Sequence, residues 1–415
     1  MRVFEALLLV LLLNAFTPAG VSSLVSFLLL IFVVLHGRHP FRVPLNLLKW
    51  SAIPLAILLI ASVNAPGHDL FDILKDAWYM LYPVLSLAVG YMLCWDGEDL
   101  DGLISAFVVA GLLVSLAYIA VFVAHLDVLS KSVEDIREAN GSGYFLSILV
   151  PLIVFLGRIV GLESSWLESH RMLTTMSVFA CIVATLLSFS RSLWVSALLA
   201  LAANLGVLRR RATIIAVCLL VLVVGILIFQ FTSSDSGGIQ QKIFKSVSET
   251  MIQDESDYSG INANWRGFEA FMALRTYLEG TPINYILGLG LGQLVDIGFY
   301  MPLGDVELRY LPILHNGYMY ILVKSGVVGI ILYVAYLFTI FKHGRQQTVS
   351  HDKRILFCGR LEVAMSLIVL ATTLVITGIY NRSDLHPVMI LLGICFAVTR
   401  QREKLLDITK AAAAS

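Results

Sequence analysis

Three basic side chains in a very apolar sequence have the chemistry to act on a phosphate-linked substrate. Arg191 follows a tight turn between two apolar stretches, Arg266 begins an amphipathic stretch in a long polar loop, and His315 opens the next apolar stretch. Arginine binds phosphate oxygens in a bidentate manner with a permanent charge, and histidine accepts a proton near neutral pH. Together they suit an anionic lipid-linked donor such as a polyprenyl diphosphate. Singly, each has a structural alternative: a lipid-headgroup anchor, a solvated helix face and a helix start, respectively.

The composition restricts the class of protein that can carry these residues. Hydrophobic residues make up 58% of the 415-residue chain and charged residues 14%, whereas a soluble domain has about 25% charged residues. A water-soluble enzyme is therefore excluded. The 29 basic and 29 acidic residues give a net charge of zero, which argues against a nucleic-acid partner.

Apolar stretches long enough to approach the thickness of a bilayer recur along the chain. They predict an all-α polytopic membrane protein with about twelve transmembrane helices, at residues 4–17, 21–36, 47–63, 78–95, 103–123, 143–160, 172–189, 192–208, 212–231, 315–341, 360–379 and 384–399. Most basic loop residues fall on one side, which predicts that both termini are cytoplasmic.

The same stretches predict the domain organisation. Residues 1–231 would form helices 1 to 9, and 232–312 a large periplasmic loop with amphipathic helices. Residues 313–410 would form helices 10 to 12 and a cytoplasmic tail, and 411–415 are interpreted as an appended remnant.

Two amphipathic stretches are predicted to lie at the outer membrane surface or over the bundle. The stretch 261–279 places apolar residues at helical spacing, and 69–76 is predicted as a second interfacial helix. The glycines at 288–292 are interpreted as a tight turn that returns the loop to the membrane. Lys324 would lie about 13 Å from His315 along a straight helix, facing the protein interior.

Signals for metal or nucleotide binding are weak. The pair Asp99 and Asp101 and the acidic cluster at 254–257 are better explained as solvated loop residues, and a two-histidine zinc motif is absent. Gly326 and Gly329 are interpreted as close helix-packing positions. The five cysteines are predicted to be small buried hydrophobic residues. No metal and no cofactor are therefore expected.

Short motifs around the basic residues resemble the bacterial O-antigen ligases and the wider O-antigen ligase and polymerase superfamily. The resemblance covers nearly the whole chain in architecture, including the long loop before the histidine helix, and three short stretches in motif. These are Ser190-Arg191-Ser192, Arg266 in the loop, and His315-Asn316-Gly317-Tyr318 followed by Gly326-x-x-Gly329.

The resemblance implies a GT-C-type glycosyltransferase in the bacterial inner membrane, with a periplasmic active site. It would transfer O-antigen from undecaprenyl diphosphate to a sugar hydroxyl of lipid A-core, inverting and without a metal, in lipopolysaccharide assembly. The implied general base is His315, and the implied diphosphate ligands are Arg191 and Arg266. Supporting residues are Asn316, Tyr318, Arg382 and Asp384, of which Asp384 would orient His315 or an arginine.

Three alternatives remain open at this point. An O-antigen polymerase would use a second lipid-linked repeat as acceptor, and a protein O-oligosaccharyltransferase commonly has a longer periplasmic C-terminal part. A transporter for lipid-linked glycans would also need arginines around a diphosphate. A transporter should, however, carry charges along a path through the bundle, whereas only Lys324 and Glu362 lie inside the later stretches, away from their first residues.

Overall fold

The computed structural model describes residues 3–36, 44–95, 100–125, 143–204, 265–303, 306–375, 378–380 and 385–414. The described part is mostly helical. Its elements are α1 Val3–Phe16, α2 Ala19–His36, α3 Leu45–Val63, α4 Leu70–Trp95, α5 Leu100–Ala124, α6 Leu146–Val160, α7 Ser165–Ser169, α8 Arg171–Leu187, α9 Arg191–Asn204, α10 Trp265–Leu278, α11 Pro282–Leu287, β1 Val295–Leu303, β2 Val306–Leu311, α12 Gly317–Gln347, α13 Lys353–Val375 and α14 His386–Ala414.

The helices fall where apolar sequence predicted them. Every predicted stretch contains a helix except 212–231, which lies outside the described residues. Within the described part of the chain, five helices have the length and composition to cross a membrane, namely α3, α4, α5, α12 and α13, and shorter apolar helices accompany them. The chain is thus a multi-pass membrane protein, while the count of twelve spans stays a prediction.

The core of the bundle depends on close approach between backbones. α4 packs along α14, where a Cβ on Gly90 would meet the Ile390 carbonyl oxygen at 1.9 Å and a Cβ on Gly393 would meet that of Leu87 at 2.1 Å. Small residues allow this approach between helices in membranes. The four described cysteines are buried, as predicted.

One prediction about the polar segments needs correction. The stretch 69–76 is not a separate interfacial helix, because all but its first residue form the first turns of α4, which continues without interruption into the apolar part. The loop before α12 also contains an antiparallel hairpin of β1 and β2, which was not predicted and in which Val295 pairs with Leu311 and Leu303 with Val306. The described part is otherwise helical, which fits the predicted all-α membrane fold.

The amphipathic helix predicted at 261–279 is α10, which packs against α12 and β1. Phe268 and Met272 are buried as the spacing predicted, but Leu278 is 56% exposed. Residues 261–264 lie outside the described part. In the structure, α10 therefore lies over the bundle.

α12 is broken in its first third. Gly326 has φ 66° and ψ −165°, which no helix contains. The Tyr318 and Tyr333 rings lie 6.0 Å apart, although a straight helix would separate the two residues by about 22 Å. Tyr318 donates a hydrogen bond to the Leu370 carbonyl and Tyr333 bonds Thr373 at 2.6 Å, so both halves reach neighbouring turns of α13. The chain turns back at Gly326.

The break bears on two predictions. Gly326 is a reversal point, and it is also the close packing position that was predicted, since an added Cβ would lie against the Ile286 carbonyl group of α11. The break follows Lys324, so the distance of about 13 Å between His315 and Lys324 along the helix stays a prediction. The expectation that Lys324 faces the protein interior is confirmed, since the residue is 2% exposed.

The carbonyl groups released by the break are bound by the glycine-rich segment 288–292. The Leu289 amide donates to the Val323 carbonyl at 2.7 Å, and the Gly290 amide to that of Lys324 at 3.2 Å. The same segment is tied to the end of α3, where the Asn64 side chain donates to the Gly288 carbonyl at 2.7 Å. The segment therefore connects α3 to α12 through hydrogen bonds, which satisfy the backbone carbonyl groups that the break leaves without helix partners.

A buried ion pair connects α4, α12 and the glycine-rich segment. Lys324 Nζ lies 2.5 Å from Asp76 Oδ2, and Asp76 also accepts hydrogen bonds from the Tyr320 hydroxyl at 3.0 Å and the Gly292 amide at 2.7 Å. Lys324 donates in addition to the Gln293 carbonyl. One carboxylate on α4 thereby fixes α12 and the glycine-rich segment.

Gly326→Ala is expected to destabilise the fold. An added Cβ would lie 2.4 Å from the Ile286 carbonyl oxygen and 2.5 Å from the Gly288 amide nitrogen, at a positive φ. Such positions cost about 1–3 kcal/mol for a residue with a side chain, before the clash is counted. The measurement is the thermal unfolding midpoint in detergent. Gly20→Ala is the control, since its Cβ meets nothing within 4 Å; equal midpoints for the two variants would contradict the assignment.

Lys324→Met is expected to lower the free energy of unfolding by about 3–5 kcal/mol, because it leaves the Asp76 carboxylate buried and unpaired. The double variant Asp76→Asn, Lys324→Met should recover part of that loss. Lys353→Met is the matched control, since Lys353 pairs with Glu163 on the exposed surface and such pairs contribute little. Unfolding of all three is followed by tryptophan fluorescence, and a Lys324→Met protein as stable as the wild type would refute the argument.

Candidate active site

The centre of the candidate site is a histidine–glutamate pair. Glu269 on α10 accepts a hydrogen bond from the His315 backbone amide at 3.0 Å and contacts Nδ1 of the same residue at 2.8 Å. The Glu269 side chain is 3% exposed and that of His315 36% exposed. An ionised carboxylate only accepts, which assigns the ring proton to Nδ1. Nε2 of the neutral ring is then a proton acceptor on the more exposed partner.

The local sequence explains why both residues are held there. Asn316 is the N-cap of α12, and its side chain accepts from the Tyr318 and Met319 amides at 3.0 and 3.2 Å. The cap fixes the chain direction immediately after His315. Tyr318 ties the same turn to α13 through its hydroxyl. Two of the four predicted supporting residues, Asn316 and Tyr318, therefore position the turn that follows His315.

Arg266 lies near this pair through helix geometry. It precedes Glu269 by three residues on α10, and residues three apart share a helix face. Arg266 is partly buried, and Glu269 is only 2% exposed. The buried acid and the arginine therefore occupy adjacent turns of one helix.

Arg191 is the exposed first residue of α9, after a strained turn. Phe189 has φ 46°, which residues with a side chain rarely adopt. The buried Ser188 hydroxyl accepts from the Ser190 amide at 3.2 Å, and the Ser190 and Ser192 hydroxyls bond at 3.0 Å. A cation in the first turn is unfavourable for the helix dipole, so an anion bound there would interact with both the arginine and the helix end.

Contacts between helices locate Arg191 within the bundle. Thr185, at the end of α8, bonds Ser147 at the start of α6 at 2.8 Å, which places the turn before Arg191 at that end of α6. At the other end of α6, Glu163 pairs with Lys353 at the start of α13 at 3.0 Å. α6 and α13, which are in contact, therefore run in opposite directions.

The same contacts also locate His315. Since α13 starts beside the end of α6, the start of α6 lies beside the turn of α13 that is one α6 length further along, which contains Leu370. The Leu370 carbonyl accepts a hydrogen bond from the Tyr318 hydroxyl, three residues after His315. Arg191 and His315 therefore lie at the same end of the bundle. That both side chains contact one ligand stays a prediction.

Sequence reasoning placed the partner of His315 elsewhere. Arg382 and Asp384 lie outside the described residues, and the described partner of His315 is Glu269, which the sequence analysis did not single out. A signal was present: Glu269 falls one position from Phe268 in the buried part of an amphipathic helix, where an acid needs a partner.

The other predicted polar groups lie apart from this pair. Asp101 accepts from the Ser165 amide and hydroxyl at 3.2 and 2.7 Å, while Asp99 and the cluster at 254–257 fall outside the described residues. Among the described residues, no three histidine, cysteine, aspartate or glutamate side chains group as metal ligands do.

Part of the chain is similar to a known protein family. No curated protein sequence matches the chain. A family model described as O-antigen ligase matches residues 176–334, a stretch that contains Arg191, Arg266, Glu269 and His315. Over this stretch, the chain is similar to the O-antigen ligase family.

Proposed function

We propose that the protein is an O-antigen ligase. It would transfer O-antigen polysaccharide from undecaprenyl diphosphate to a sugar hydroxyl of lipid A-core, at the periplasmic face of the bacterial inner membrane. The observation that carries the proposal is the Glu269–His315 pair at 2.8 Å, inside the stretch that matches the family. Similarity to this family supports lipid-linked polysaccharide as the substrate class.

His315 is the general base in this proposal. As the acceptor oxygen attacks the anomeric carbon, its proton passes to Nε2, and the bond between that carbon and the diphosphate oxygen breaks. Attack opposite to the leaving group inverts the configuration. Glu269 is a positioning residue, because its carboxylate keeps the proton on Nδ1 and stabilises the imidazolium that forms, as in other histidine–carboxylate pairs.

Arg191 and Arg266 are proposed to bind the diphosphate. Negative charge grows on its oxygens as the glycosidic bond breaks, and preorganised cations stabilise that charge where it develops. A diphosphate is already a good leaving group, so the scheme needs neither a nucleotide nor a metal.

The reconstituted reaction tests this function. Purified protein receives lipid-linked O-antigen with either lipid A-core or a second lipid-linked repeat as acceptor, in the presence of EDTA. Transfer to lipid A-core supports the ligase, whereas transfer only to the lipid-linked repeat would replace it with a polymerase. Activity lost in EDTA and restored by added metal would contradict the metal-free scheme.

His315→Ala should abolish transfer, and Glu269→Gln should lower kcat by about 100-fold or more, a typical contribution of general base catalysis. A glutamine amide would donate to Nδ1 and thus move the ring proton to Nε2, which could no longer accept. The pH profile of kcat should therefore change in Glu269→Gln. Glu307→Gln, on exposed β2, is the control; wild-type kcat in His315→Ala, or an unchanged rate and profile in Glu269→Gln, would remove the proposed roles.

Arg191→Lys and Arg266→Lys should each be nearly as damaging as the alanine variants, since an ammonium group does not replace a bidentate guanidinium. The measured quantity is the rate of transfer at saturating acceptor. Arg171→Lys, an exposed position at the start of α8, should leave the rate unchanged. Full activity in either lysine variant would argue against diphosphate binding by that residue.

A further inference from the structure

A polar cavity of about 590 Å³ lies between the start of α4, the second half of α10 and the β1–β2 hairpin. His68, Thr276 and Tyr310 contribute to three sides of it. Its rim is open to solvent, since the Arg275 and Glu279 side chains are 62% and 67% exposed. His315, Arg191 and Arg266, to which the proposed function assigns roles, do not line this cavity.

The cavity lies within reach of the histidine–glutamate pair. Glu269, Met272 and Thr276 follow one face of α10 at spacings of three and four residues, and the last two line the cavity. Thr276 is seven residues from Glu269, which corresponds to about 10 Å along the helix. The cavity therefore lies about two turns of α10 from Glu269.

The charges in the cavity disfavour phosphate. Arg309 is bound by Asp296 in a bidentate pair, with both distances 2.9 Å, and Arg275 pairs with Glu279 at 3.3 Å. Both lining arginines are thus held by carboxylates. Asp69 adds a further acid to the lining.

The same groups favour hydroxyl donors. The Arg309 guanidinium holds the pKa of Asp296 below its usual value through a hydrogen bond, so this acid is ionised and accepts hydrogen bonds. The exposed Tyr310 ring, at the cavity wall, offers an apolar face beside these acceptors.

One side of the cavity is hydrogen-bonded to the buried ion pair. Gly292 and Gln293 line it, the Gly292 amide donates to Asp76, and the Gln293 carbonyl accepts from Lys324. The buried ion pair thus preorganises the surface, which reduces the cost of ordering on binding.

We propose that this cavity is a binding subsite for a neutral, hydroxyl-rich oligosaccharide portion of a substrate. This inference rests on the proposed glycosyl transfer for its biological meaning. The saccharide comes from either the acceptor or the donor glycan, and both share the chemistry that the cavity recognises.

Direct binding to the full-length protein in detergent tests the subsite. Three probes are titrated by calorimetry: a dephosphorylated core oligosaccharide, an O-antigen repeat oligosaccharide and the phosphorylated core oligosaccharide. Binding of the first assigns the subsite to the acceptor, and binding of the second to the donor. Tighter binding of the phosphorylated probe, or no binding of either neutral probe, would overturn the proposal.

Two pairs of variants locate the binding. Thr276→Trp fills the cavity and Tyr310→Ala removes its aromatic wall, and each should weaken binding by at least about tenfold. Leu278→Trp on the same helix and Tyr300→Ala on β1 are the controls, since both residues are exposed and outside the lining. Equal affinity in the cavity variants and their controls would refute the assignment.

His315→Ala separates this inference from the proposed function. The variant should bind the neutral probe with wild-type affinity, because His315 does not line the cavity. If it also transferred glycan at the wild-type rate, the proposed base would fail while the subsite stood. Loss of probe binding in His315→Ala would instead place the saccharide at the histidine and overturn the subsite.

Discussion

The carboxylate of Asp76 is the constraint on which the active end of this molecule depends. It is 1% exposed and bound by an ammonium, a phenol and a backbone amide that come from segments far apart in the chain. A buried acid needs partners of this kind, because its desolvation is otherwise too costly. Meeting that need brings α12 against α4, with the glycine-rich segment between them. The reversal of α12, the hairpin and the cavity are arranged around this point.

Much of the architecture could be predicted from the sequence because apolar length directly reflects membrane thickness. The helices that carry Arg191 and Arg266, and the helix that follows His315, begin close to their predicted positions. The burial of Lys324 could be predicted as well, since a charge in that setting needs an interior location. What local pattern cannot give is the identity of the partner, Asp76, which lies 248 residues away in sequence.

The break at Gly326 and the role of Glu269 were not predicted from the sequence, and the physical reason is the same for both. The break at Gly326 depends on the Leu289 and Gly290 amides, which replace lost helix hydrogen bonds, so the α12 sequence alone does not specify it. Glu269 had a local signal, as an acid within an apolar helix face, but its role emerges only when α10 lies over the start of α12. Tertiary contacts decided both outcomes. Arg191 lies at the same end of the bundle as His315 by the contacts of α6 and α13, and its role in binding a diphosphate stays a prediction.

The division of the histidine–glutamate pair between two segments has a consequence for how activity depends on folding. His315 belongs to the helical bundle, whereas Glu269 belongs to a helix that lies over it. Segments of unequal local stability open independently. Detachment of α10 alone would leave the bundle intact and the imidazole without its orienting partner. In the proposed mechanism, the helix that lies over the bundle is then as necessary for activity as the bundle itself.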